Sequence, residues 1–156
     1  MKLKVYRLRE NAKLPERCHA TDAGMDIFYC PNDDKKLYDC TAAYYIPPRT
    51  SRILATGIKV EVPVGHMLEI KNKSGIATKK QLIVGACVVD CGYNGEVFVN
   101  LHNIGIKTQI IEPGDKIAQC VLIPVKYCTV EEVLDAERLN IHSTRGDGSL
   151  GSTGDR

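Results

Sequence analysis

The chain has 156 residues, enough for one domain with its own core and too few for two comfortable ones. It is 44% apolar and 26% charged, close to the averages of globular chains, which excludes the disordered, collagen-like and membrane classes. Lys and Arg exceed Asp and Glu by only two, 21 against 19, too little for a nucleic-acid surface, and no apolar run approaches the ~20 residues of a membrane span.

Apolar residues recur at alternate positions from the start, which is strand periodicity. In chain order the predicted strands are "KLKVY", "DIFYC", "AYYIP", "SRILA", "GIKVEVP" (Ile58, Val60, Val62), "HMLEIK", "LIVGACVVD", "EVFVNLH" (Val97, Val99, Leu101), "TQIIEP" and "KIAQCVLIPV". The punctuators "PNDD", "PP", "PVG", "NIG" and "EPGD" separate them at the spacing of a β-sandwich or barrel rather than of βαβ units. "TVEEVLDAERL" offers the one helix, with Thr129 and Glu132 spaced as a capping box, although Val130 and Val133 suit an extended segment almost as well. No internal repeat is present and composition changes only at about His142. The expected organisation is therefore a β domain over 1–141 and a tail over 142–156. The amino terminus, "MKLKVYRLRENAK", lacks the apolar centre of a signal peptide, so a cytoplasmic location is expected, in a cell or a virus-infected host cell.

Seven cysteines, Cys18, Cys30, Cys40, Cys87, Cys91, Cys120 and Cys128, contain no C-x-x-C pair, which speaks against both a disulfide framework and a zinc knuckle. Cys87 and Cys91 read as buried reduced thiols, with a metal shared with a distant His as the alternative. His19, His66, His102 and His142 show no H-x-x-x-H spacing and read as solvated or structural.

No phosphate-binding G-x-x-x-x-G-K-[ST] loop occurs. Three clusters join a glycine turn to a donor or carboxylate: "DAGMDI" (Asp22–Ile27), "NKSGIAT" (Asn72–Thr78) and "PGDKIAQ" (Pro113–Gln119). Taken singly, each reads first as an ordinary turn, since Gly-Asp and Ser-Gly are among the commonest turn formers. "VVDCGYNGEVFVNL" reads as a β-hairpin with Asp90 at the end of one strand, Gly92 and Gly95 at the bend and Tyr93 between them. A carboxylate there can orient and deprotonate a water and the Tyr93 ring can pack on a sugar; the alternative makes Asp90 a turn cap and Tyr93 a core plug. The closing "STRGDGSLGSTGDR" sets Arg145 ahead of closely spaced glycines, Ser152 and Thr153, a set of donors suited to a polyphosphate, or else an unordered chain end.

In order and spacing, "AGMDI", "NKSGIA", "GACVVDCGYNGE", "GDKIAQ" and "RGDGSLGSTG" resemble the five motifs of the homotrimeric dUTPases, from Ala23 to Gly154. That resemblance implies an all-β fold, a distorted β-barrel or jelly roll with at most one short helix and a flexible C-terminal arm. It implies a Mg²⁺-dependent dUTP diphosphatase, hydrolysing dUTP to dUMP and pyrophosphate, which limits uracil in DNA and supplies dUMP for dTTP synthesis. By the same resemblance Asp90 activates the water that attacks the α-phosphorus, and Tyr93 lies against the deoxyribose and excludes a 2′-hydroxyl. The backbone at Cys87, Val88 and Val89, and across at Phe98, meets the uracil edge. Lys73, Ser74, Gly75 and Gln119 stand at the phosphates. Mg²⁺ arrives with the nucleotide and no direct protein ligand is implied, with Asp26 near it through water. Arg145, Leu150, Gly151, Ser152 and Thr153 belong to an arm that closes over a site shared between the subunits of a homotrimer.

Three departures from the family pattern stand out. Lys73 replaces the usual Arg before Ser-Gly, Leu150 the aromatic residue that stacks on uracil with Ser149 for the glycine before it, and Cys87 a glycine beside the base. Two other readings remain at this point: a dCTP deaminase of related fold, which would want a Glu base and no Tyr, and a binding protein gated by dUTP. Asp90 and Tyr93 favour the phosphohydrolase.

Overall fold

The computed structural model describes residues 1–32 and 43–139. Among the described residues, eleven strands follow the order of the ten predicted, with "LIVGACVVD" divided into two: β1 (Lys4–Arg7), β2 (Met25–Phe28), β3 (Tyr44–Ile46), β4 (Ser51–Ala55), β5 (Ile58–Glu61), β6 (His66–Lys71), β7 (Leu82–Val84), β8 (Val88–Val89), β9 (Phe98–Asn103), β10 (Gln109–Ile111) and β11 (Lys116–Pro124). One short helix, α1 (Ser74–Lys79), lies between β6 and β7. The fold is all-β, as expected, and every paired strand runs antiparallel to its neighbour. Two small sheets pair β1 with β5 and β10 with β3; the larger two have the orders β2-β11-β6-β8 and β4-β9-β7.

Alternation builds the core. In β9, Val99 and Leu101 are fully buried while Phe98 and His102 are exposed, and the same rule turns Leu68 and Ile70 of β6 inward. Ile27, Leu54, Ile58, Ile111 and Ile117 complete this interior. Its buried amide is satisfied, since Asn103 donates to the carbonyls of Ile46 and Lys107 and accepts from the Gly105 N–H.

The backbone divides into two units, Met1–Lys126 and Tyr127–Arg156. The first holds all eleven of these described strands. The described part of the second has a single 3₁₀ turn, Ala136–Leu139, where the sequence predicted a helix over "TVEEVLDAERL". Val130 and Leu134 are 97% and 89% exposed, so no buried apolar face compensates the cost of helix nucleation. Among the described residues, no helix is long and apolar enough to cross a membrane.

The predicted hairpin over "VVDCGYNGEVFVNL" is corrected. β8 pairs with β6 and β9 pairs with β4 and β7, so the strands flanking Asp90–Val97 belong to different sheets and the segment is a crossing loop. The cysteine reading also changes. Cys30 and Cys120 are buried, but Cys87 and Cys91 are only half-buried, and Cys18 and Cys128 are exposed. Burial pushes the Cys120 thiol up to about 12, which leaves it an inert small hydrophobe.

Leu68 is fully buried, and its truncation leaves a cavity that the rigid sheet cannot close. Leu68→Ala should cost about 2–5 kcal/mol, whereas Val130→Ala, at a 97% exposed position, should stay within about 0.5 kcal/mol; chemical denaturation of both variants checks this.

Candidate active site

The β2-β11-β6-β8 sheet gathers four of the five motifs. Gln119 of β11 stands opposite Asp26 of β2 on one side and opposite Lys71 of β6 on the other. Directly opposed residues share a face, so one row across three strands joins the first, fourth and second motifs. On the far edge of β6, Glu69 stands opposite Val88, and the Ile70 N–H donates to the Cys87 carbonyl at 2.7 Å. That bond places the third motif beside the second.

A bulge adds a cation to this row. Between Lys116 and Ala118 the register of β11 against β2 shifts by one, so that Lys116 stands opposite Phe28. Phe28 and Asp26 lie two positions apart and share a face. Lys116 therefore points toward Asp26 and donates to its Oδ2 at 2.7 Å, passing 5.8 Å from the centroid of the Phe28 ring. Lys73, two residues beyond Lys71, donates to Asp26 Oδ1 at the same distance. Asp26 is 6% exposed. Burial alone works to raise its carboxyl, but the hydrogen bonds from Lys116 and Lys73 outweigh it and hold the group below the ordinary aspartate range.

The other phosphate candidates surround this ion cluster. Gln119 donates to the Asn72 carbonyl at 2.8 Å. Gly24 leaves the space its side chain needs, since a Cβ at residue 24 would sit 2.1 Å from Gln119 Oε1. Asn72 in turn accepts from the Val84 N–H at 2.7 Å, tying the second motif to β7. Lys73 is the residue before α1, and Ser74 and Gly75 form its first turn. A turn was expected there rather than a helix.

The crossing loop shapes a separate hollow of about 270 Å³, lined by Val88, Val89, Asp90, Tyr93, Glu96, Val97 and Phe98. Asp90 is exposed in its mouth, directly after β8. Tyr93 is neither a core plug nor free: it is 46% exposed, and its hydroxyl donates to the Glu96 carbonyl at 3.0 Å. The ring passes over Gly95, where a Cβ would come within 2.4 Å of its Cζ. Phe98 is 43% exposed, whereas Val89 belongs to the core. A larger hollow of about 560 Å³, also lined by Tyr93, lies against β1 and β5, but it holds none of the predicted carboxylates.

Arg145, Leu150, Gly151, Ser152 and Thr153 lie outside the described residues. Sequence reasoning gave no role to Lys116, Asn72 and Glu96, which stand inside the quoted motifs, or to Arg9, which lies outside them. Lys116 stands within the quoted "PGDKIAQ", but the bulge that turns it toward Asp26 has no sequence signature. Among the described residues no three His, Cys, Asp or Glu side chains gather.

The lowered pKa of Asp26 links folding to pH. Because its folded value lies below the unfolded one, its stabilisation is complete above the unfolded aspartate value of about 3.9 and is lost as pH falls through the lower folded value. Asp26→Asn should be less stable than the parent near neutrality by on the order of 1–3 kcal/mol, and the gap should narrow below about pH 4. Urea unfolding of both proteins across that range measures it.

A family model described as dUTPase matches residues 10–154. The deoxyuridine 5'-triphosphate nucleotidohydrolase of Clostridium tetani is 38% identical over 154 residues, 97% of this chain and 96% of its own. That of Gloeothece citriformis is 39% identical over 156 residues, 99% of this chain and 97% of its own. Among solved structures, a variant of the dUTPase of Staphylococcus bacteriophage 80alpha with dUpNHpp matches at a TM-score of 0.81 and 27% identity, covering 98% of each chain. With the five motifs in order and four of them meeting on one sheet, the chain belongs to the dUTPase family.

Proposed function

We propose that this chain is a dUTP diphosphatase, hydrolysing dUTP to dUMP and pyrophosphate and so limiting uracil in DNA while supplying dUMP for dTTP synthesis. The observation that carries the reading is the row Asp26, Gln119 and Lys71, with Val88 beside β6, because it sets a cationic, donor-rich patch next to the hollow that Asp90 lines.

In this reading Asp90 takes the proton of a water as it attacks the α-phosphorus in line, and its exposed place in the mouth of the hollow gives that water access. Lys73, the Ser74 hydroxyl, the backbone at Gly75 and Gln119 bind the phosphates. The Tyr93 ring packs on the deoxyribose and leaves no room for a 2′-hydroxyl. The backbone at Cys87, Val88 and Val89, opposite Phe98, reads the uracil edge and rejects cytosine by donor and acceptor mismatch. Arg145, Leu150, Gly151, Ser152 and Thr153 close the site from a neighbouring subunit, over the terminal phosphate and the base.

The fit of magnesium rests on Asp26. Both its oxygens already accept from lysines at 2.7 Å, so direct ligation would displace an ammonium, whereas a carboxylate oxygen keeps a further lone pair for a water of the hydrated ion. Asp26 therefore suits a water-mediated contact. Mg²⁺ delivered with the triphosphate would supply charge neutralisation of the leaving pyrophosphate.

Pyrophosphate release from dUTP, UTP, dTTP and dCTP with Mg²⁺ should be confined to dUTP. Asp90→Asn should keep nucleotide binding and reduce dUTP turnover by on the order of a hundredfold or more; near-normal turnover in that variant would refute the assigned base.

The chain is further proposed to form a homotrimer with shared sites. Ile53 and Phe98 on the outer face of the β4-β9-β7 sheet, with Val130, Leu134 and Leu139 of the second unit, are apolar side chains 43–97% exposed in the single chain, and a neighbouring subunit would cover such surface. Sedimentation equilibrium at micromolar protein should return three times the 17.2 kDa chain mass. A monomer mass would contradict it.

A further inference from the structure

Glu96, the last residue of the third motif, has no role in the reading above, yet its carboxylate accepts three hydrogen bonds. Its carboxylate, 10% exposed, pairs with the guanidinium of Arg9, 14% exposed, through both Nη1 and Nη2. It also accepts from the Gly57 N–H at 2.7 Å. Arg9 is itself held in place, since its Nη2 donates to the Cys30 carbonyl at 3.0 Å and its Nε to Cys30 Sγ at 3.4 Å. The Cys30 thiol donates onward to Asn11 Oδ1 at 3.3 Å. A bidentate pair this enclosed fixes both partners in orientation as well as position.

What the pair holds is the foot of the crossing loop. The Glu96 carbonyl accepts the Tyr93 hydroxyl at 3.0 Å, and the next residue, Val97, donates its N–H to the Ile58 carbonyl at 2.9 Å. With the foot anchored at the side chain of Glu96 and the backbone of Val97, the Glu96 carbonyl has one direction. That direction sets where the Tyr93 hydroxyl, and so the plane of its ring over Gly95, comes to rest. The Tyr93 hydroxyl bonds to the Glu96 carbonyl and not to its carboxylate or to Arg9; the coupling runs through that one carbonyl.

We propose that Arg9 and Glu96 are positioning residues for Tyr93 and thereby set the discrimination between deoxyribose and ribose triphosphates. This rests on the reading that Tyr93 packs on the sugar. Arg9 does not line the hollow, and Glu96 lines it with its carboxylate engaged by Arg9 and Gly57; their effect is on the tightness of the fit at C2′. Small displacements of a positioning surface carry large consequences for the competing substrate, because the extra hydroxyl of UTP is excluded by space alone.

The test compares kcat and KM for dUTP and for UTP in the parent chain, Arg9→Met, Arg9→Lys, Glu96→Gln, Tyr93→Phe and Tyr93→Ala, with the melting temperature of each. Arg9→Met and Glu96→Gln should lower the dUTP-to-UTP ratio of kcat/KM by about tenfold or more, and Arg9→Lys, which keeps the charge without the fork, should recover part of it. Tyr93→Phe keeps the ring and removes only its bond to the Glu96 carbonyl. It should reduce the same ratio, and combining it with Glu96→Gln should give less than the product of the separate losses. If Arg9→Met fails to fold, Tyr93→Phe still decides the matter, since unchanged discrimination in that variant means that the carbonyl does not orient the ring. Full discrimination in folded Arg9→Met and Glu96→Gln, alongside its loss in Tyr93→Ala, would overturn the positioning role alone. Full discrimination in Tyr93→Ala would instead overturn the sugar contact on which it rests.

Discussion

The place of β11 between β2 and β6 is the constraint on which the candidate site depends. Gln119 meets Asp26 on one neighbour and Lys71 on the other, and a slip of one residue would send Gln119 into the core and turn Cys120 out. Cys120 is fully buried, so the packing that holds its thiol inward also fixes the polar row. A regular strand would still leave this row short of a cation, because Lys116 and Gln119 are three residues apart and would face opposite ways. The bulge after Lys116 reverses the phase and brings both to the Asp26 side. The irregularity in the ladder is thus what completes the cluster.

Asp26 shows why two lysines are used. A carboxylate 6% exposed loses much of its hydration, and a single flexible ammonium is weak compensation for that loss. With a lysine at each oxygen the carboxyl stays below its ordinary range despite burial. Lys73 and Lys116 remain about one-third and two-fifths exposed, so their own charges keep solvent. The cost of burial falls on one group, which has two partners.

The strands were legible because a half-buried strand must alternate, and "SRILA" and "HMLEIK" mark β4 and β6 to the residue. Partner choice was not legible. The short distance between "VVD" and "FVNL" suggests a hairpin, but β8 is only two residues long and takes β6 as its neighbour, leaving β9 to another sheet. Helix placement failed both ways for one reason. α1 has no buried residue and no side-chain cap, so "SGIATK" carries no apolar period to find, while "TVEEVLDAERL" carries a cap pattern without a surface to pack on. Motif order placed Asp26, Lys73, Asp90, Tyr93 and Gln119 in one family. The residues that hold them, Lys116, Asn72, Arg9 and Glu96, act through long-range contacts that no local spacing encodes.

The lysine at position 73 gains a physical reading from this arrangement. An arginine there would bind Asp26 through two parallel bonds, and transferring it to a phosphate would break both. Lys73 holds Asp26 by a single bond of 2.7 Å, and its charge can turn to a phosphate as a point charge on a flexible stem. Asp26 is not stranded by that movement, because Lys116 keeps its own 2.7 Å bond to the other oxygen, and the severe penalty of an unpaired buried charge is avoided. If Lys73 binds phosphate as proposed, a lysine in place of an arginine gives up a bidentate grip and also lowers the cost of releasing the cation from its resting partner. In the proposed function these two effects oppose each other. Their balance depends on Lys116, a residue that reaches the site only because β11 is bulged.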